Sequence, residues 1–176
     1  MTKAFGLLLL TAVLATACSK NQQTVDGDVI TRNDFESYVG WFPETGNVGR
    51  DHAHSGQFAV KVDPQHEFGP TYKGIIGQIS VHQLKGVHVE AWVYLPNPQG
   101  AKLGVVVSTP DEKTQILGDG IDLNQDVKEY KKWVKIQKDI AFPATVNATH
   151  MLKVFLWRGG ATEAVYLDDI SISALE

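Results

Sequence analysis

The sequence has one cysteine, no strong excess of charge of either sign, and no apolar run long enough to cross a bilayer. A lone cysteine cannot close an internal disulfide, so a hydrophobic core must hold the fold. The formal net charge of −4 argues against a nucleic-acid partner, which would require a basic patch, and against adhesion to anionic lipid. Internal repeats and low-complexity segments are absent as well.

Motifs of common catalytic sites are also missing. We find no Gly-x-Ser-x-Gly elbow, no His-Glu-x-x-His pair and no phosphate-binding loop, because Gly118-Asp119-Gly120 is too short for one. A carboxylate pair could cleave glycosides, but nothing in the sequence selects one pair among 20 acidic residues. We therefore predict that the protein is not an enzyme, and a small glycosidase is the least favoured alternative.

The first 17 residues have the layout of a secretory signal peptide. Lys3 precedes an apolar stretch over residues 4–14, which is shorter than the roughly 20 residues that span a bilayer. The segment that follows, Leu14-Ala15-Thr16-Ala17-Cys18, resembles the lipobox of bacterial lipoproteins. We predict cleavage after residue 17 and lipidation of Cys18, with a plain secretory signal peptide as the alternative.

The predicted lipid anchor bears on domain organisation and location. Removing residues 1–17 from the 176-residue chain leaves 159 residues, the size of one domain, which we place at 29–176. Residues 18–28 form a short polar tether that reaches about 35 Å at most. Ser19 resembles the residue after the lipidated cysteine in outer-membrane lipoproteins. The resemblance implies the cell envelope, and the outer membrane in a Gram-negative host, with lipid as the only membrane contact.

The domain sequence has a period of two. Between Val87 and Leu95, aliphatic residues alternate with polar and aromatic ones, as in a strand with one buried face. Turn signals such as Ser55-Gly56 separate the runs, and only 125–130 suggests a single helical turn. This pattern predicts an all-β antiparallel sandwich or barrel. The alternation recurs in four other segments, one of them interrupted by Lys138: 58–62, 103–107, 134–142 and 152–156.

Several short motifs also follow one another in a set order. They are Asn33-Asp34-Phe35-Glu36, Gly40-Trp41, His54-Ser55-Gly56, Ala91-Trp92-Val93 and Asp168-Asp169-Ile170-Ser171. Over most of residues 30–174, this order resembles carbohydrate-binding modules with a galactose-binding-like β-jelly-roll, the type attached to xylanases and glucanases. The resemblance implies a two-sheet antiparallel jelly-roll sandwich that binds poly- or oligosaccharide. The alternative is a structural or adhesive lipoprotein that binds another envelope protein, because one fold hosts many functions.

The resemblance also implies a structural calcium that ties the N-terminal strand to the C-terminal one. The matching positions are Glu36, Asp168 and Asp169, whose carboxylates are the oxygen ligands that calcium prefers. The alternative is that Asp168 is a solvated strand residue and Asp169 caps a turn. His52 and His54 are too few for a zinc site, so we assign them to a loop.

Two of the predicted strands place aromatic side chains opposite aliphatic ones. Sugars bind to aromatic rings through their apolar C–H faces, while neighbouring polar groups bind the hydroxyls. We therefore predict that the exposed faces of these strands bind the ligand, with cover by loops as the alternative, in which Trp92 is structural. We expect Trp41 and Trp133 to pack beneath loops. The predicted ligand-binding residues are His88, Glu90, Trp92, Tyr94, Lys153, Phe155, Trp157 and Arg158.

Overall fold

The computed structural model of the protein describes residues 28–42 and 47–175. The predicted signal peptide, Cys18 and the tether as far as residue 27 lie outside these residues. Within them, the chain forms eleven strands and two single-turn helices, and the strands pair as two antiparallel sheets. The predicted all-β, two-sheet antiparallel sandwich is therefore confirmed.

The two sheets, which we call sheet A and sheet B, are built from interleaved parts of the chain. The strands of sheet A are β1 (Val29–Asn33), β3 (Val48–Gly49), β4 (Ala59–Val62), β6 (Gly86–Tyr94), β9 (Trp133–Ala141) and β11 (Val165–Leu175). Those of sheet B are β2 (Trp41–Phe42), β5 (Phe68–Ile75), β7 (Lys102–Ser108), β8 (Gln115–Asp122) and β10 (Met151–Trp157). In sheet A the strand order is β3-β4-β11-β6-β9, and β1 pairs with the second half of β11. In sheet B the strand order is β2-β5-β10-β7-β8.

The core lies between the sheets and is supplied by alternate residues of each strand. In β6 the buried residues are Val87, Val89, Ala91 and Val93, all without exposed surface. Successive side chains of a strand point to opposite faces, so the residues between them form the outer face of sheet A. β10 alternates in the same way. Leu152, Val154 and Leu156 are buried, and Lys153, Phe155 and Trp157 lie on the outer face of sheet B.

The helices are short and lie in the connections. Helix α2 (Leu123–Asp126) overlaps the turn predicted at 125–130. Asp122 is its N-cap, and the Asp122 side chain accepts hydrogen bonds from two backbone N–H groups of the first turn. Helix α1 (Ile76–Ile79) was not predicted, because four residues that bury only Ile76 show no helical period. No helix in the described part of the chain is long and apolar enough to cross a membrane.

Candidate functional site

The predicted ligand residues lie on two opposite faces of the sandwich. His88, Glu90, Trp92 and Tyr94 belong to β6 and lie on the outer face of sheet A. The predicted residues of the second group belong to β10 or follow it, in sheet B. The sequence predicts which face of a strand is solvent-exposed, but it does not tell in which sheet the strand lies. The eight residues therefore form two separate groups.

On sheet A, a loop of the chain itself covers the aromatic rings. In loop 50–58, His54 stacks on Trp92 with ring centroids 4.0 Å apart, and it meets Trp133 edge-on at 5.6 Å. His52 stacks in the same way on Tyr94, at 4.5 Å. The aromatic residues of β6 therefore form an internal contact between the loop and sheet A, and their stacked faces are occupied.

Two carboxylates hold this loop on the sheet through its backbone. The Asp168 carboxylate accepts the N–H groups of His54 at 2.8 Å and Ser55 at 3.1 Å. Glu36 accepts those of Gln57 at 2.6 Å and Phe58 at 2.8 Å. The two chain-distant acidic residues thus both bind N–H donors of one loop.

Asp168 is fully buried, so it is not the solvated strand residue of our alternative. Burial raises the pKa of Asp168, and the neighbouring charge of Asp169 raises it further, although three backbone N–H groups oppose the shift. Asp169 lies at a bulge of β11 with φ of 45°, and its carboxylate binds the His54 ring at 2.5 Å and the Ser55 hydroxyl at 2.8 Å. Both acidic residues thus position the loop.

The same contacts bear on the calcium prediction. A calcium ion takes six to eight oxygen ligands that converge on one point. In the described part of the chain, no three His, Cys, Asp or Glu side chains are grouped so as to hold a metal ion. The carboxylates of Glu36 and Asp168 face N–H protons, which a cation would have to displace. Calcium stays a prediction of the family resemblance.

The outer face of sheet B is open and carries its own aromatic group. Trp157 is 41% exposed and Phe68 is 39% exposed, and Phe155 meets Phe68 edge-on at 5.7 Å. Phe155 lies across from Gly104 of β7, where an added Cβ would lie 3.0 Å from the ring. A larger residue at position 104 would push the ring away, so the glycine allows Phe155 to lie flat along the sheet. This exposed aromatic group makes the outer face of sheet B a candidate binding surface.

Polar groups fix the orientation of Trp157. The indole N–H donates to Glu67 at 2.7 Å, and the Arg158 guanidinium binds the other oxygen of Glu67 at 2.6 Å. The hydrogen bonds from Arg158 and Trp157 hold the pKa of Glu67 below its usual range. The carboxylate therefore stays ionised through mildly acidic pH and keeps its acceptor oxygen for the indole.

A second polar group lies farther along the same face. The Glu112 carboxylate accepts from Lys73 at 2.9 Å and from Lys153 at 3.1 Å, and these two bonds lower the pKa of Glu112. Glu112 has φ of 58°, an uncommon conformation for a residue with a side chain. Predicted Lys153 thus lies in an ion pair beside Phe155. The face presents aromatic rings between two groups of charged side chains.

Four residues of this face were not predicted from the sequence, namely Phe68, Lys73, Glu67 and Glu112. β5, which carries the first two, contains Gly69, Pro70 and Gly74, and these obscure its alternation. The two glutamates lie in connections, where no period indicates the direction of a side chain. Only their contacts with β10 reveal their role, since 90 residues separate Glu67 from Trp157.

Most of the chain matches a known protein family. Residues 27–158 match the profile of a family described as carbohydrate binding domain. A comparison with curated proteins found no match. The family match covers strands β1 to β10, and it includes both Trp92 and Trp157.

Solved structures share the fold. The CBM22-1 xylan-binding domain of Paenibacillus barcinonensis Xyn10C aligns with a TM-score of 0.54 at 19% identity, over 85% of this chain and 96% of its own. Its CBM22-2 xylan-binding domain gives 0.55 at 16% identity, over 83% and 99%. The C-terminal family 22 module of Clostridium thermocellum Xyn10B, described for the role of its cleft in ligand binding, gives 0.54 at 10% identity, over 82% and 91%. At these identities, the likeness establishes the fold alone.

Proposed function

The chain belongs to the carbohydrate-binding domain family, and from that premise we propose that it is a non-catalytic module that binds polysaccharide on the outer face of sheet B. The observation that carries the choice of face is the exposure of the Trp157 ring beside Phe155. A sugar ring buries its C–H face on such a ring, while Glu67, Arg158 and the Glu112 ion pairs offer acceptors and donors to hydroxyl groups.

Sheet A is the weaker choice of face. Its two β6 rings already stack on His52 and His54, so a sugar would first have to displace loop 50–58. That displacement would break the four backbone hydrogen bonds to Asp168 and Glu36. Net hydrogen-bond contributions of about 1 kcal/mol each make this unfavourable.

Xylan is the first ligand to test. Two of the modules that share this fold are named as xylan-binding domains. A polysaccharide is a long chain, and an open face admits it where a closed cavity would accept only its end. Phe155 and Trp157 are two residues apart on β10, so their Cα atoms lie about 7 Å apart on one face, which allows contact with more than one sugar of a chain.

We also propose that lipid on Cys18 anchors the module to the cell envelope. The segment ending at Cys18 supports this, because lipidation gives a role to a cysteine that has no partner in the chain. Each buried methylene of an acyl chain contributes about 0.8 kcal/mol, and the several chains of a lipoprotein cysteine give stable attachment. An anchored module would hold polysaccharide near the cell surface.

The test is binding of the detergent-purified full-length protein to insoluble xylan, with cellulose and other glucans in parallel. We expect binding to at least one polysaccharide and a loss of roughly tenfold in affinity for Trp157→Ala, equivalent to 1.4 kcal/mol. Trp92→Ala is the matched control, since it removes the same side chain from the opposite face. We expect its affinity to stay unchanged.

Two results would contradict the proposal in different ways. Loss of binding in Trp92→Ala with normal binding in Trp157→Ala would move the site to sheet A. Failure to bind any polysaccharide would refute carbohydrate binding and favour an envelope lipoprotein that binds another protein.

A further inference from the structure

One end of the sandwich holds both ends of the described chain. Backbone hydrogen bonds join Ala174 to Asp28 at 2.9 Å and Lys85 to Leu175 at 2.8 Å, and a third joins Phe142 to Lys85 at 2.7 Å. The β6 strand begins here, one residue after Lys85. We call this region the proximal end, comprising residues 28–29, 76–85, 142–150 and 174–175.

The proximal end has exposed apolar surface. Val81 is 92% exposed, the most of any large hydrophobic residue in the described ranges, and Val29 is 40% exposed. A cavity of about 550 Å³ opens beside Val81, and it is lined by residues of the connections 76–85 and 142–150. Its apolar lining residues are Ile76, Val81, Leu84, Val146 and Ala148.

Trp157, the more exposed of the two β10 rings proposed to bind sugar, lies at the opposite end of the sandwich. β10 begins at Met151, which pairs with Ile75 immediately before the proximal helix α1, and it ends at Trp157. Six residue steps of about 3.3 Å separate Met151 from Trp157, so the exposed indole lies about 20 Å from the proximal end. Thr162, in the loop after β10, is exposed at the same distal end.

We propose that the proximal end lies against the lipid bilayer, with Val81 in contact with the membrane surface and Trp157 facing away from it. This inference rests on the lipid anchor of the proposed function. Ten residue steps separate Cys18 from Asp28, and they reach about 35 Å at most, which limits how far the proximal end can lie from the membrane. An exposed valine beside an apolar cavity favours the interface over water.

The contact that we propose is made by Val81 and the apolar side chains around the cavity. A formal net charge of −4 gives no attraction to an anionic membrane surface. The orientation therefore depends on the anchor and on the apolar residues, and salt will not release it. Its consequence for function is that polysaccharide approaches the distal rings from outside, without steric hindrance from the bilayer.

The test uses the full-length lipidated protein in vesicles of phosphatidylethanolamine and phosphatidylglycerol that contain a nitroxide-labelled phosphatidylcholine. A fluorophore is attached to Val81→Cys or, as the matched control, to Thr162→Cys, since lipid already occupies Cys18. We expect several-fold stronger quenching by the nitroxide lipid at position 81 than at 162, unchanged by salt.

Three other results would each contradict the inference, and each would identify a different reason for its failure. Protein that floats with the vesicles but is quenched equally, or more strongly at position 162, is anchored without this orientation. Protein that does not float with vesicles lacks the anchor, so the inference fails together with the lipidation on which it rests. Disulfide cross-linking between copies of unlabelled Val81→Cys, with no quenching of the labelled protein, would assign the surface to a second molecule. The xylan assay is independent of all three results.

Discussion

The buried carboxylate of Asp168 accepts a hydrogen bond from the backbone N–H of His54 at 2.8 Å, although 114 residues separate the two positions in sequence. Through this bond, the last strand of sheet A holds loop 50–58 in place. The loop in turn stacks His54 on Trp92. The structural role of this aromatic residue therefore depends on an acidic residue of another strand.

Replacing Asp168 by alanine should destabilise the fold strongly. The change leaves the N–H groups of His54, Ser55 and Asp169 without their acceptor. A buried donor without a partner costs about 1–3 kcal/mol, so we expect a loss of at least about 2 kcal/mol in the free energy of unfolding. Urea denaturation measures this value. Asp139→Ala, at a side chain 69% exposed on the same sheet, should lose much less, and an equal loss in both variants would contradict the role of Asp168.

Gly56 should tolerate no side chain. Its φ is 56°, and an added Cβ would lie 2.4 Å from the Glu36 carboxylate that binds the loop. Gly160 has φ of 87° with open space around it, so Gly160→Ala is a control for backbone strain alone. We expect Gly56→Ala to lower the midpoint of thermal unfolding well beyond the change in Gly160→Ala. Similar shifts in the two variants would mean that contact with Glu36 adds nothing.

The strands were predictable to the extent that they alternate. β6 and β10 follow the period of two without a break, and both were found from it. Lys138 interrupts the apolar alternation of β9, but it lies on the inner face of an edge strand, and its Nζ donates to Asp119 of sheet B at 2.9 Å. An amphipathic side chain can bury its stem and place its charge at the sandwich edge, so one lysine does not end a strand.

The candidate site was harder to predict because it depends on pairing between distant strands. The sequence indicated aromatic residues on exposed faces, and Phe155 and Trp157 do lie on such a face. The sequence did not indicate that loop 50–58 covers Trp92. The His54 ring stacks on Trp92 and also binds the carboxylate of Asp169, which is distant in sequence. Which of two similar faces stays open is decided by tertiary contacts.

The affinity of the proposed sugar face should fall only in strongly acidic solution. Glu67 has a lowered pKa in the folded protein, so its hydrogen bonds to Trp157 and Arg158 persist above that pKa. This contribution is present above the unfolded pKa of Glu67 and is lost as pH falls through the lowered folded value. We expect xylan binding to be constant from neutral to mildly acidic pH and to weaken below the usual range for glutamate.

Glu67→Gln separates this ionisation from general acid unfolding. The amide keeps an acceptor for the indole and cannot ionise, so the variant should bind more weakly at neutral pH and show a flatter acid profile. Binding isotherms at each pH, with circular dichroism to confirm folding, provide the measurement. An identical acid profile in the wild type and the variant would exclude Glu67 as the titrating group.

Calcium should have little effect on stability if the contacts around loop 50–58 persist in solution. Glu36 and Asp168 already bind four backbone N–H groups of loop 50–58, which a cation bound to the same oxygens would have to displace. A ligand stabilises a protein only by binding its folded form more tightly than its unfolded form. We therefore expect the same unfolding midpoint in excess calcium and in EDTA. A higher midpoint in calcium, lost in Glu36→Gln, would establish the calcium site implied by the family resemblance and require the loop to rearrange around the ion.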